Sequence, residues 1–274
     1  MNDVLDISIL QMAVAFIYVG AVILIVRIVG IPREMQIVVA SLRMTVQLVA
    51  AGYVLLYLFD TDAIWLSFLV LAGMETFAVY NAIKRANMPL SPAIKRIITL
   101  ALPIGTLVSL AFFLIVVVGE HAWRDPRYLI PLAGMIIGSA MTGVTLGTTR
   151  LVDGIRTQRA SIETALMLGA SPQDATRHIV RNAFDAAILP TINSMVGMGI
   201  VILPGMMTGQ ILSGTSPLIA IKYQIAIMLA IMGSVSFTVL ILVDRGYRTF
   251  FNDEAQLVIP AIDQELMPRK SRTS

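Results

Sequence analysis

Residues 97–119 read IITLALPIGTLVSLAFFLIVVVG, a long apolar run without a single charge. As a helix rising 1.5 Å per residue, such a run crosses the hydrocarbon core of a bilayer, about 30 Å thick. Six more stretches of comparable length flank it, at roughly 7–29, 36–59, 62–83, 128–149, 188–211 and 217–243. Composition agrees: of 274 residues, 57% are apolar and 14% charged, whereas soluble domains carry about 25% charged residues. The expected fold class is an all-α membrane protein with about seven transmembrane helices. The opening MNDVLDIS has no basic segment, and the apolar run behind it is too long for a signal-peptide core. The first stretch is therefore expected to stay in the protein as a span. No cysteine is present, which excludes disulfides and thiolate metal ligands. No basic run interleaved with aromatics points to nucleic acid.

The charges set an orientation. Sixteen Lys and Arg residues fall in the first, third and fifth inter-span intervals and the tail. Arg124, Arg127 and Lys222 are left to the other side, and Arg43 lies within a span. By the positive-inside rule the N-terminus is outside and the C-terminus cytoplasmic. The permease-like body is read as residues 1–251 and the cytoplasmic tail as 252–274, with a polar interval over about 150–187.

That interval contains ASIETALMLGASPQDA at 160–175. Ile162, Ala165, Leu166 and Gly169 repeat at the spacing of one helix face. Glu163 is one turn from Arg159 and within pairing reach. Gly169 sits where a helix needs a left-handed terminator. Ser171 and Pro172 then fit the N-cap and first position of a new helix. The result is a stiff elbow on the cytoplasmic side. It is either an interfacial helix that packs only on its own bundle, or a surface on which another protein pushes.

ETALMLGAS at 163–171 resembles the EAA-type coupling loop of ABC transporter permeases. Glu163, Ala165, Leu166, Gly169, Ala170 and Ser171 carry the resemblance, with Ile179 ten residues after the glycine. The Leu-Pro pair expected soon after that isoleucine is absent; Arg181 and Asn182 stand there, and Leu189-Pro190 follows later. SLRMTVQLVAAGYVL at 41–55, GMIIGSAMTGVTL at 134–146 and LPGMMTGQILSG at 203–214 extend the resemblance to FetB-type permeases. That family is linked to iron export in bacteria, with plant relatives linked to aluminium tolerance. The resemblance implies a multi-pass subunit of the bacterial inner membrane that pairs with a second copy of itself. It also implies a separate cytoplasmic ABC ATPase that holds ATP and Mg, and export of a metal ion or metal-linked solute. The chain itself is expected to be no enzyme and to bind no cofactor. Its nearest approach to a phosphate-cradling loop, GVTLGTTR at 143–150, lacks the lysine.

Several polar groups fall inside the spans. Arg43 and Glu75 lie at matching depths, roughly 10 and 12 Å from the inner end at 1.5 Å per residue. They are expected to face each other, with Gln47 one turn from Arg43. Such a pair is either part of a substrate pathway or a fixed structural bridge, or else Arg43 snorkels toward the inner surface. Pro204-Gly205 is expected to interrupt the sixth span and free backbone carbonyls. Met206, Met207 and Gln210 flank that point, and Met195 and Met198 precede it. Thioethers favour soft metals, whereas iron(II) prefers nitrogen and oxygen, so these methionines are either substrate contacts or mobile packing. Gly134/Gly138, Gly143/Gly147 and Gly205/Gly209 are small-residue pairs suited to close helix contact, within a subunit or across a homodimer seam. Rival readings are a gradient-driven transporter or channel using the Arg43–Glu75 pair, and a membrane scaffold that transports nothing.

Overall fold

A computed structural model describes residues 7–61, 64–86, 90–119 and 123–258. Among these residues every named element is a helix, and the only strand-like features are two isolated single-residue bridges. The elements are α1 (Ile9–Ala15), α2 (Ile17–Val29), α3 (Glu34–Asp60), α4 (Ile64–Arg85) and α5 (Pro92–Phe112). They continue as α6 (Pro126–Thr157), α7 (Arg159–Met167), α8 (Pro172–Gly197), α9 (Gly205–Leu212) and α10 (Pro217–Gly246). A wider π-helical turn, Phe113–Val118, extends α5. Six helical stretches are long and apolar enough to cross a membrane: Ile9–Val29, Glu34–Asp60, Ile64–Arg85, Pro92–Val118, Pro126–Thr157 and Pro217–Phe250.

Local chemistry explains where the helices begin. Ser91-Pro92, Asp125-Pro126, Ser171-Pro172 and Ser216-Pro217 each open one. Proline at the first helical position loses no hydrogen bond, and its ring pre-sets φ. The side chains of Ser91, Asp125 and Ser171 accept from the N–H groups of Ile94, Arg127 and Asp174 respectively.

The core is built around α6, which buries residues along its length from Leu129 to Ile155. It packs on α4, α5, α8 and α10. Glycines let these helices approach closely. A Cβ at Gly105 of α5 would lie 2.0 Å from the Thr238 hydroxyl and 2.9 Å from its Cα on α10. One at Gly143 of α6 would meet Val235 of α10 at 2.8 Å, and one at Gly154 would meet Ile179 of α8 at 2.5 Å. These contacts run α6 parallel to α10 and antiparallel to α8. Gly143 and Gly147 therefore pack within the subunit, whereas a Cβ at Gly205 or Gly209 would meet no other part of the chain within 4 Å.

The 188–211 stretch is not one continuous helix. α8 starts beside the α6 C-terminus, stops at Gly197, and α9 resumes at Gly205. α10 begins at the opposite end of α6, where Tyr223 stacks on Tyr128. Helix, break and short helix thus return the chain from one end of the bundle to the other. The helices α1 to α3 are peripheral: among them only Leu58 is buried. After α10, a 3-10 turn (Tyr247–Phe250) packs on the core, and Val258 donates back to the Phe250 carbonyl. Residues 259–274 of the tail lie outside the described residues.

Candidate functional site

Two features stand out against this frame: the elbow between α6 and α8, and the break between α8 and α9.

The elbow has the form read from its residues. The Gly169 N–H donates to the Leu166 carbonyl, and the Ala170 N–H to the Ala165 carbonyl. With Gly169 at φ +88°, this is a Schellman-type termination. Ser171 then caps α8, and its hydroxyl also donates to the Asp174 carboxylate. Ile162 is fully buried, and Ala165 and Leu166 pack against the core. Arg159 and Glu163 pair at 2.7 Å on the exposed face, a bridge of the sort that contributes about 0.3–0.5 kcal/mol. From α8, His178 is hydrogen-bonded to Gln158 at the joint between α6 and α7. The turn is therefore held from inside, below and across.

Met167 and Leu168 crown this turn at 85% and 83% exposure. Neither was singled out in the sequence reading. The signal was available: both fall off the Ile162–Ala165–Leu166 face, so a rigid turn must present them outward. Two bare apolar side chains thus stand on a fixed turn, where burying each would be worth about 1.5–3 kcal/mol.

The break starts earlier than Pro204-Gly205. Gly199 takes φ +84°, and the Val201 and Ile202 N–H groups both donate to the Gly197 carbonyl. Gly199 in turn donates to the Ile202 carbonyl, and Pro204 leads into α9. The Gly197-Met198-Gly199 triplet, not the proline alone, ends α8. Two cavities of about 360 and 500 Å³ lie beside it. Both are lined by Met198, Pro204, Gln224 and Met228. The smaller adds Met135, Ser139, Thr142, Thr191 and Ser194; the larger adds Met195 and Met207. Gln224 is only 4% exposed. Its Nε2 donates to the Met198 sulfur at 3.6 Å, and its Oε1 has no partner.

Of the three residues read at Pro204-Gly205, Met207 lines the larger cavity. Met206 packs against the core, and Gln210 holds a buried Oε1 without a partner, but neither lines the two cavities. Gln224, Met135 and Met228 were missed. They are single residues on α6 and α10, and only the packing brings them to the break. Among the described residues, no group of three His, Cys, Asp or Glu side chains could hold a metal ion. His121 and Glu120 lie outside those residues.

The expected Arg43–Glu75 pair is not formed. Glu75 is buried on α4, where its Oε1 accepts from the Thr106 hydroxyl of α5 and its Oε2 has no partner. Arg43 is exposed and lies over the Phe77 ring, 5.0 Å from its centroid; Gln47 is also exposed. Depth was matched but direction was not. Glu75 shares the buried face of Leu71, Ala78 and Ala82, while Phe77, two residues on, is turned about 200° away at 3.6 residues per turn.

Comparison with known proteins covers nearly the whole chain. Residues 9–251 match the model of the uncharacterised protein family UPF0014. A UPF0014 membrane protein of Synechocystis is 38% identical over 240 residues, 88% of this chain and 92% of the relative. The probable iron export permease protein FetB of Escherichia coli is 33% identical over 255 residues, 93% of this chain and 96% of the relative. Protein ALUMINUM SENSITIVE 3 of Arabidopsis thaliana is 34% identical over 224 residues, 82% and 80%. No solved structure matches.

Proposed function

Because the chain belongs to the UPF0014 family, we propose that it is the membrane-spanning permease subunit of an ABC transporter. In this reading a separate cytoplasmic ATPase binds the elbow and carries the ATP and Mg. The observation that carries it is the capped turn with Met167 and Leu168 bare at its tip. A loop that transmits force must be stiff, and must offer apolar area to the motor. This turn does both, while Ile162, Ala165 and Leu166 anchor it to the bundle. The permease acts as a homodimer in the plasma membrane with the elbow in the cytoplasm, the arrangement that its Lys/Arg placement favours. The cargo is a metal ion, iron in the first instance, or a metal-linked solute, and the direction is export. The name of the Escherichia coli relative supports both. Gradient-driven transport through an Arg43–Glu75 pair lacks comparable support, since the two residues are not paired.

Co-purification with the ATPase, followed by ATPase assay of the reconstituted complex, tests the reading. Gly169→Pro, Glu163→Lys and the double change Met167→Asp with Leu168→Asp are expected to insert normally and lose the ATPase or its coupling. Full coupling in all three would refute the docking role.

A further inference from the structure

We propose that the break between α8 and α9 builds a binding site for a soft monovalent cation of the copper(I) class, held by methionine thioethers and the Gln224 amide oxygen. The proposal rests on the metal-permease reading above and adds, beside the iron cargo named there, a site for a soft cation.

Four observations converge. Met198, Met228 and the buried Gln224 line both cavities, with Met135 in the smaller and Met195 and Met207 in the larger. Thioether sulfur is a soft ligand that selects copper(I) over iron(II), magnesium or calcium. Second, the Gln224 Oε1 is buried and unpartnered. A buried acceptor left empty costs about 1–3 kcal/mol, and a cation in the cavity would remove that cost. The Gln224 Nε2 meanwhile donates to the Met198 sulfur and fixes its position; sulfur keeps a second lone pair for a metal.

Third, the lining is neutral. Asp, Glu and His are missing from the lining of both cavities. The cost of burying an uncompensated ion grows steeply with its charge, so a pocket of neutral donors suits a single positive charge. Lys222, two residues before Gln224, lines a neighbouring cavity with Ser109 and Phe113 and is absent from the lining of these two. Fourth, α8 ends here. The break thus carries the carbonyl end of α8 and, from Gly205, the N–H end of α9, and interrupted membrane helices commonly place such ends at ion sites. The hydroxyls of Thr142 and Ser194 donate to their own helix carbonyls, which leaves their oxygens as further neutral acceptors.

The chain has no cysteine, so soft-metal binding to the purified protein reports on methionine and histidine alone. The experiment is a titration of the whole permease in detergent, without ATPase, against a chromophoric copper(I) chelator under anaerobic reducing conditions. Silver(I) serves as a redox-inert second probe. The wild type is expected to withdraw copper(I) from the chelator and to bind silver(I). Met198→Leu and Met228→Leu, which nearly conserve volume, are each expected to weaken both by at least the roughly tenfold that losing even an outer-shell partner costs a metal site. Met12→Leu, at an exposed methionine of α1, and His178→Ala are expected to bind as the wild type does. Absence of copper(I) binding would overturn the proposal. So would binding that survives both Met198→Leu and Met228→Leu, or tighter binding of iron(II) that the same two changes abolish. Since no ATPase is present, each of these results leaves the elbow-docking proposal standing, and loss of that proposal would not alter the titration.

Discussion

At the scale of single residues, Glu75 shows how much a sequence gives away and where it stops. Its burial was legible: Leu71, Glu75, Ala78 and Ala82 follow a helical stripe, and all four are buried. Its partner was not, because equal depth in two helices says nothing about which way their side chains turn. Thr106 supplies one hydrogen bond, and the second carboxylate oxygen has none. Removing the carboxylate does not orphan Thr106, whose hydroxyl also donates to the Leu102 carbonyl, so an apolar group of similar size in its place is nearly neutral or stabilising. Glu75→Met is therefore expected to raise the melting temperature of the detergent-purified protein, by an amount equivalent to about 1–2 kcal/mol. If the carboxylate is used in transport, the same variant loses transport while gaining stability. A lower melting temperature would show that Glu75 is satisfied by something beyond Thr106.

At the scale of elements, the helix starts and the elbow were written locally and could be read locally. Ser171, Pro172 and Asp174 do at the α8 N-terminus what their types prescribe. Gly169 takes the left-handed conformation its position demands. Ser171→Ala is expected to cost about 1 kcal/mol, the usual worth of an N-cap. Seen by hydrogen exchange, the loss should appear as faster exchange in 171–176 with the rest of α8 unchanged. Unaltered protection there would mean that packing of Ala175 and Ile179, and not the cap, holds this start. The broken helix was read only in part. Pro204 advertised a break, yet Gly197 and Gly199 decide where it begins, and their effect depends on the loop closing on the Gly197 carbonyl. The cavities beside it draw on α6, α8 and α10 at once. No window of sequence contains that convergence.

At the scale of the whole molecule, the crossings other than 188–211 were legible from apolar length alone. Their packing partners were not, since lipid-facing and protein-facing residues are both apolar. Small-residue pairs give a further case. Gly143 and Gly147 are used inside the subunit, whereas Gly205 and Gly209 of α9 are left open. In the homodimer proposed above, α9 is a seam in reach of a second copy. Gly209→Leu is then expected to reduce the dimer fraction in chemical cross-linking or light scattering, with the monomer still folded. An unchanged dimer would move the seam to the peripheral helices α1 to α3.

The close glycine contacts of Gly105, Gly143 and Gly154 have a mechanical meaning. Backbones that touch leave no slack, so α5, α6, the first part of α8 and α10 form one stiff chassis. Compliance is left to the link at 198–204. In the coupling proposed above, a thrust at the elbow passes into that chassis and is taken up as strain at the link, beside the methionines, about 30 residues further along the chain.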